Sequence, residues 1–203
     1  MTEWEKAQAG YLYDANYDEE LIKARSKCAD LCYEFNNCKP SDTRKQNELL
    51  HQILGSIKGE LVVTAPFYCD YGFNISVGKN FYTNHNCIIL DGAKVVFGDN
   101  VFIAPNCVFS TAGHALDAGQ RGEGLEIALP IQVGDNVWIG ANACILPGVV
   151  IGDNTVIGAG SVVNKNIPSG VVAAGNPCRV IREITEADKH KYPIWGEEAK
   201  NLQ

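Results

Sequence analysis

Four imidazoles occur in this chain of 203 residues: His51, His85, His114 and His190. Imidazole suits removal of a hydroxyl proton near neutrality, because its ordinary pKa is about 6.5 and it is largely neutral at pH 7. His51 lies in a stretch with helical spacing and His190 in a charged tail. His114 stands in a glycine-bearing stretch, residues 110–130, that interrupts an otherwise periodic pattern. From the residues alone it is either a base held at a site or a solvated loop residue. A base works best when a neighbour fixes its tautomer. Glu126, at the far end of the same stretch, is either that neighbour or a surface carboxylate. The amide of Asn84 can donate to a hydroxyl or a growing oxyanion, or it can simply turn a corner. Asp70 and Asp91 each offer several acceptor sites to hydroxyl donors.

The interrupted pattern is a repeat of six. From Val133 the chain runs VGDNVW, IGANAC, ILPGVV, IGDNTV, IGAGSV, VNKNIP. An aliphatic residue returns at Val133, Ile139, Ile145, Ile151, Ile157 and Val163. Four places after each comes Val137, Ala143, Val149, Thr155, Ser161 or Ile167. This is neither a helical period nor simple alternation. A hexapeptide period predicts a parallel β-helix in which three sixes close one triangular coil. Ile139 should then stack on Ile157, and Ile145 on Val163. Gly and Asn at the corners should supply backbone angles with positive φ. Phe97, Ile103 and Phe109 keep the same spacing upstream, but the interval from Ile89 to Phe97 slips by two near Asp91-Gly92. A slip inside a solenoid marks a place where a site or loop is inserted.

The beginning of the chain differs. Residues 2–54 read as helical, with Asp18 capping a segment whose apolar positions are Leu21, Ala24, Cys28, Leu31 or Cys32, and Phe35. Ser41 or Asp42 caps a second, carrying Leu49, Leu50, Ile53 and Leu54. Strands begin at about Leu61. A helical lid on the open end of a solenoid is expected, since such an end must be covered.

The net charge of −7 and the pI of about 5.1 disfavour nucleic acid as a main partner. No basic region followed by an apolar run opens the sequence, and no stretch of about 18 apolar residues occurs, so a cytoplasmic protein with no membrane partner is expected. The eight cysteines form no CxxC pair, and no His completes a usual zinc spacing. They are expected to be reduced and to act as small buried hydrophobes. Cys144, in the register of Trp138, Val150, Val156 and Val162, is expected as a packed thiol, and no metal site is expected.

The repeat, with Val-Gly-Asp-Asn-Val-Trp-Ile-Gly at its centre, resembles the left-handed β-helix acyltransferases. GYLYDANYDEEL in the N-terminal region, Cys69-Asp-Tyr-Gly72, Asn84 within TNHNCIILD, Thr111-Ala-Gly-His114 and Gly175-Asn-Pro177 make it similar to the maltose and galactoside O-acetyltransferases over nearly the whole chain. The resemblance implies a mainly β fold: a left-handed parallel β-helix over 58–184 with the protruding loop 110–130. It also implies a helical cap over 1–57 and a C-terminal tail or helix over 185–203. A homotrimer follows from it, with active sites between subunits and the loop reaching over a neighbour. It implies acetyl transfer from acetyl-CoA to a sugar hydroxyl by direct attack, with His114 as base and Asn84 assisting. Asn16 (or Asp14), Arg25, Asp70, Asn84, Asp91 and Glu126 would face the acceptor. Trp138, Ala141, Ala159, Ser161, Asn164, Lys165, Arg179 and Arg182 would line the coenzyme site, the last cations meeting its phosphates. The family carries an aromatic ring where this chain has His85, and a polar imidazole in place of a stacking ring is expected to weaken apolar aglycones. The γ-class carbonic anhydrases share this fold but need three histidines; His85 and His114 are available here, but a third within the prism is missing. Two rival readings are another acceptor (an oligosaccharide, serine or an antibiotic) and a catalytically silent trimeric scaffold.

Overall fold

The computed structural model describes residues 1–192. From Ser56 onward the chain winds as short parallel strands on three faces. The first face stacks Ser56–Ile57, Ile75–Val77, Val95–Phe97, Ile131–Val133 and Val150–Ile151. The second stacks Leu61–Val63, Phe81–Thr83, Phe102–Ile103, Trp138–Ile139, Val156–Ile157 and Val171–Ala174, and Arg179–Glu183 closes it antiparallel. The third stacks Phe67–Cys69, Cys87–Leu90, Val108–Ser110, Cys144–Ile145 and Val162–Val163. The expected stacking is observed: Ile139 pairs with Ile157 and Ile145 with Val163. The second inward position is filled by Val137, Ala143, Val149, Thr155, Ser161 and Ile167, all buried. Nearer the N-terminus the prism is filled by rings, with Phe97 packed 5.1 Å from Phe81 and 5.0 Å from Phe109.

Corner chemistry divides between two residue types. Asn80, Asn100, Asn136 and Asn154 all take positive φ, and their amides form a ladder at 3.0, 2.9 and 3.2 Å. Gly148 and Gly160 also take positive φ, as expected, but the glycines that follow the inward aliphatics work differently. Gly140 does not have positive φ; instead a Cβ there would lie 2.6 Å from the backbone nitrogen of Ala159 in the next coil. Close approach of stacked corners, not the left-handed region, requires glycine at that position.

The N-terminal region is three helices, α1 (Glu3–Gln8), α2 (Glu19–Asn36) and α3 (Thr43–Ile53), interrupted by a two-residue strand, Tyr13–Asp14. Asp18 caps α2 through the Leu21 amide and Asp42 caps α3 through the Lys45 amide. Leu21, Cys28, Cys32 and Phe35 form the buried stripe of α2, and Leu49, Leu50 and Ile53 that of α3. The first solenoid strand starts at Ser56, earlier than the apolar pattern suggested, because Ser56 and Lys58 hide the alternation.

Two features of the middle of the chain depart from a plain loop. Residues 110–130 fold into an antiparallel hairpin, Ala112–His114 against Leu125–Ala128, with a short helix, α4 (Ala118–Gly122), at the tip. The strand Tyr13–Asp14 adds to its other edge. The slip at Asp91-Gly92 receives this assembly. Gln8 donates to the Gly92 carbonyl, and Ala93 donates to the Thr111 hydroxyl, which donates to Leu90. Ala7, Tyr13, Ala15, Leu21, Tyr71, Ala93 and Ala128 form a second buried cluster there. At the C-terminal end Glu186–His190 is a 3-10 turn. The remainder of the expected tail, with Trp195, lies outside the described residues.

Candidate active site

The hairpin register places His114 directly opposite Glu126, and Tyr13 opposite Glu126 on the other side. Nδ1 of His114 lies 3.9 Å from Oε1 of Glu126, an ion-pair distance beyond hydrogen-bond reach. The imidazole is 58 % exposed and the carboxylate 17 %, so the ring faces solvent while its partner is held back. Asn16 fixes that partner: its Nδ2 donates to Glu126 Oε1 at 3.3 Å and to the Gly124 carbonyl at 2.8 Å. Of the two residues offered by the N-terminal motif, Asn16 reaches the hairpin. Asp14 is spent on its own turn, accepting from the amides of Asn16 and Tyr17.

Beside this pair stands a second polar group. Arg25 of α2 donates to the Tyr71 hydroxyl at 2.8 Å and lies over its ring, 5.8 Å from the centroid. Burial pushes the Asp70 carboxyl above the usual range, with Arg25 pulling it down and Glu126 pushing it up. Burial likewise raises the Tyr13 phenol, with Glu126 adding to the effect. His114, Glu126, Asn16, Arg25, Tyr71 and Asp70 thus lie close enough to feel one another. Tyr13 and Tyr71 were not singled out from the sequence. Both lie in quoted motifs, but an aromatic in a motif reads as packing until its neighbours are known.

Asp91 corrects an expectation. It is fully buried, and its Oδ1 accepts from the amides of Asp70 and Tyr71 at 3.0 and 2.9 Å. Its carboxylate is turned inward, where it holds the segment that carries Asp70 and Tyr71. Burial raises its carboxyl to about 6, opposed by the Tyr71 amide and reinforced by Asp70. Its Oδ2 is buried without a partner.

Asn84 is placed elsewhere. It turns the corner between the second and third faces, accepting from the His85 amide through its Oδ1 at 2.7 Å. His114 leaves the third face at its other edge, four residues after Ser110. One strand of three or four residues, about 10–14 Å at 3.3–3.4 Å per residue, separates the two corners. A single chain does not bring Asn84 to His114. His85 is exposed, and its Nδ1 abuts the Ala65 carbonyl of the preceding coil.

The residues expected for a coenzyme also divide. Ala141 and Ala159 lie at the same corner as Asn84, in the column of His85 and Pro105, with Gly160 donating to the Ala141 carbonyl. Trp138 projects from the second face, 55 % exposed. Asn164 and Lys165 are exposed at the other corner, on the side of His114, and Arg179 is exposed near the exit. Ser161 corrects an expectation, because it points inward and is fully buried. It donates to Gly158 and accepts from the Gly175 amide. Arg182 is half exposed and pairs with Asp188 through both of its terminal nitrogens, at 2.7 and 2.6 Å. Cys144 is half-buried on the outer side of the third face rather than packed within.

The cysteines hold the largest surprise. Cys28, Cys32 and Cys69 bring their sulfurs within 4.8 Å of one another. The spacing of four on α2 puts the first two on one helix face, but no local spacing rule reaches Cys69.

Residues 6–59 match the maltose acetyltransferase hexapeptide capping motif, and residues 130–165 the bacterial transferase hexapeptide of six repeats. The galactoside O-acetyltransferase of Escherichia coli is 47% identical over 188 residues, 93% of this chain and 92% of its own. The chain belongs to the maltose and galactoside O-acetyltransferase family. A galactoside acetyltransferase solved in complex with coenzyme A superimposes with a TM-score of 0.91 at 46% identity, over 96% of both chains. A maltose O-acetyltransferase from Clostridium difficile 630 gives 0.88 at 50% identity, over 92% of this chain and 99% of that one. As a member of that family the protein is an acetyltransferase. The family's helical cap is α1 to α3 with the strand Tyr13–Asp14, and its distinctive work here is to supply Asn16 and Arg25 to the solenoid's edge.

Proposed function

We propose that this acetyltransferase moves the acetyl group of acetyl-CoA to a hydroxyl of a sugar by direct attack, within a homotrimer whose active sites lie between subunits. The observation that carries the reading is the His114–Glu126–Asn16 line across the hairpin and the cap strand. A scaffold needs neither a solvent-facing imidazole nor a partly buried carboxylate held behind it. His114 takes the proton of the acceptor hydroxyl, and the oxygen attacks the thioester carbonyl. The tetrahedral adduct collapses with loss of the coenzyme thiolate, which receives the proton from the imidazolium. Glu126 steadies the charged ring. Asp70 and Arg25 offer an acceptor and a donor to sugar hydroxyls.

The split of the site between two edges of the third face supports the trimer. The corner with Asn84, Ala141 and Ala159 holds one half of a cleft, and the corner with His114, Asn164 and Lys165 holds the other. Apolar residues on the outer surface, among them Val62, Phe102 and Trp138, are 41–56 % exposed in the single chain, which suits burial against a neighbour. A coenzyme arm lies along Ala141 and Ala159, walled by Trp138, with Lys165 and Arg179 for its phosphates.

The test is thiol release from acetyl-CoA against a panel of maltose, glucose and β-galactosides. His114→Ala is expected to lose at least about 10²-fold in kcat, the usual size for a general base. Release unchanged in that variant sinks the mechanism. Two inactive variants, His114→Ala and Asn84→Ala, co-expressed as mixed trimers, recover part of the activity if one copy's His114 works with the next copy's Asn84. No recovery in verified mixed trimers places both residues in one subunit's site and overturns the shared cleft.

A further inference from the structure

The cap and the first coil meet at three thiols. Cys28 and Cys32 lie on successive turns of α2, each 3 % exposed, and Cys69 ends the third-face strand Phe67–Cys69. Sγ of Cys69 is 3.4 Å from that of Cys28 and 3.8 Å from that of Cys32. All three thiols are free. Packing explains a buried cysteine taken singly; it does not explain three sulfurs converging from two elements. A tetrahedral zinc with bonds of ~2.3 Å sets its sulfurs ~3.8 Å apart. Two edges of the triangle, at 3.4 and 3.8 Å, therefore already lie near the edge of such a tetrahedron, and the third is within 4.8 Å. A cavity of about 250 Å³, lined by Cys32 and Cys69 with Ala29, Tyr33, Asn36 and Tyr68, lies beside two of these cysteines. It has room for a water in the fourth position, which needs roughly 30 Å³.

We propose that Cys28, Cys32 and Cys69 bind one zinc ion as thiolates, with a solvent oxygen in the fourth position, and that the ion pins the helical cap to the first coil. Binding forms three zinc–sulfur bonds, releases three thiol protons to solvent and transfers no electrons. Charge favours zinc over monovalent copper, since three thiolates leave a net −1 with the former and −2 with the latter in a largely buried site, where each uncompensated charge is costly. Hard ions are disfavoured by an all-sulfur donor set. Cys69 immediately precedes Asp70, so the ion would anchor the start of the segment that Asp91 holds. The site is separate from His114, and acetyl transfer needs no metal. This revises the expectation that the cysteines are only small hydrophobes.

The test uses the full chain, purified reduced and dialysed against metal-free buffer after zinc loading. About one zinc per chain is expected by elemental analysis. Cobalt(II) added to the metal-free protein is expected to give thiolate charge-transfer bands and the strong visible bands of a tetrahedral site. Removal of zinc should lower the melting midpoint by about 5 °C or more. Cys28→Ser and Cys69→Ser should abolish the cobalt bands, and Cys38→Ser, outside the triangle, should retain them. No zinc and no cobalt bands in reduced wild type overturns the site, and that result does not depend on any variant folding. Zinc retained in full by folded Cys69→Ser, or copper(I) bound while zinc is not, also overturns the assignment. So does a Cys28–Cys69 disulfide that forms with zinc present.

Discussion

Between residues 131 and 163 each coil repeats the last, whereas between residues 69 and 128 the chain relies on contacts that occur once. In the regular coils Asp135 accepts from the Asp99 amide and Asp153 from the Asp135 amide, both at exposed corners. In the interrupted part the equivalent service is performed by Asp91, fully buried, for the amides of Asp70 and Tyr71. The same carboxylate–amide bond is therefore replaceable by water in one region and irreplaceable in the other. Stability in the regular coils is a sum over neighbours. The interrupted part is where the prism trades regularity for a hairpin, a cap strand and a site.

Substitutions can break or sharpen that contrast. The largest effect on folding is expected from Ile139→Ala. It empties a fully buried position in the stack and should cost ~2–5 kcal/mol, read by urea unfolding, while the folded fraction keeps its KM for the acceptor. A loss of kcat at full stability would show that the regular coils are more than a support. Next comes Asp91→Ala, which leaves two amides without their acceptor and should cost ~1–3 kcal/mol while raising the acceptor KM. Asp135→Ala, its counterpart in the regular region, should stay within ~0.5 kcal/mol. Equal losses from the two would erase the distinction. Glu126→Gln should lower kcat on the order of tenfold, well short of a triad carboxylate because its oxygen stands 3.9 Å from the ring. Its melting midpoint should hardly move, and a melting loss without a kinetic one would reduce Glu126 to a hairpin residue.

The smallest effect is a pH dependence. Burial raises Asp91 to about 6, above the roughly 3.9 of an unfolded aspartate. Between those values the folded chain holds a proton that the unfolded chain has lost. The Asp91 contribution therefore weakens as pH rises from about 4 to about 6, and above that the cost of burying its charge is fully present. Asp91→Asn keeps an acceptor for both amides and removes the ionisation. The difference in urea midpoint between variant and wild type should then grow in the variant's favour across that window. A difference constant with pH would mean that Asp91 titrates normally.

The β-helix was legible because its signal is periodic: Ile139 and Ile157 are 18 residues apart and pair as spaced. The caps Asp18 and Asp42 were legible because capping is local. His114 and Asn16 were legible as motif residues and Glu126 as the far end of the interrupting stretch, but their meeting depends on an antiparallel hairpin inside a parallel solenoid, which no period announces. Asp91 was misread because a polar residue in a motif looks like a ligand for substrate until its burial is known; Ser161, expected as a small side chain of the coenzyme groove, instead follows the inward register of Val137 and Ala143 and is buried. The pairing of Arg182 with Asp188 was not legible because Asp188 follows in a turn rather than a helix. The thiol triangle was invisible because Cys69 lies 37 residues beyond Cys32.

What the sequence determined by itself is whatever repeats or acts within a few residues: the six-residue period, the inward aliphatics, the asparagine corners and the helix caps. What only the tertiary structure decided is which single-copy polar groups are turned outward and which inward. The slip at Asp91-Gly92 buries one aspartate while the cap and hairpin close around Glu126. That outcome depends on contacts between segments some 80 to 110 residues apart, and the free energy of such contacts is set by burial and mutual distance, neither of which is written in local spacing.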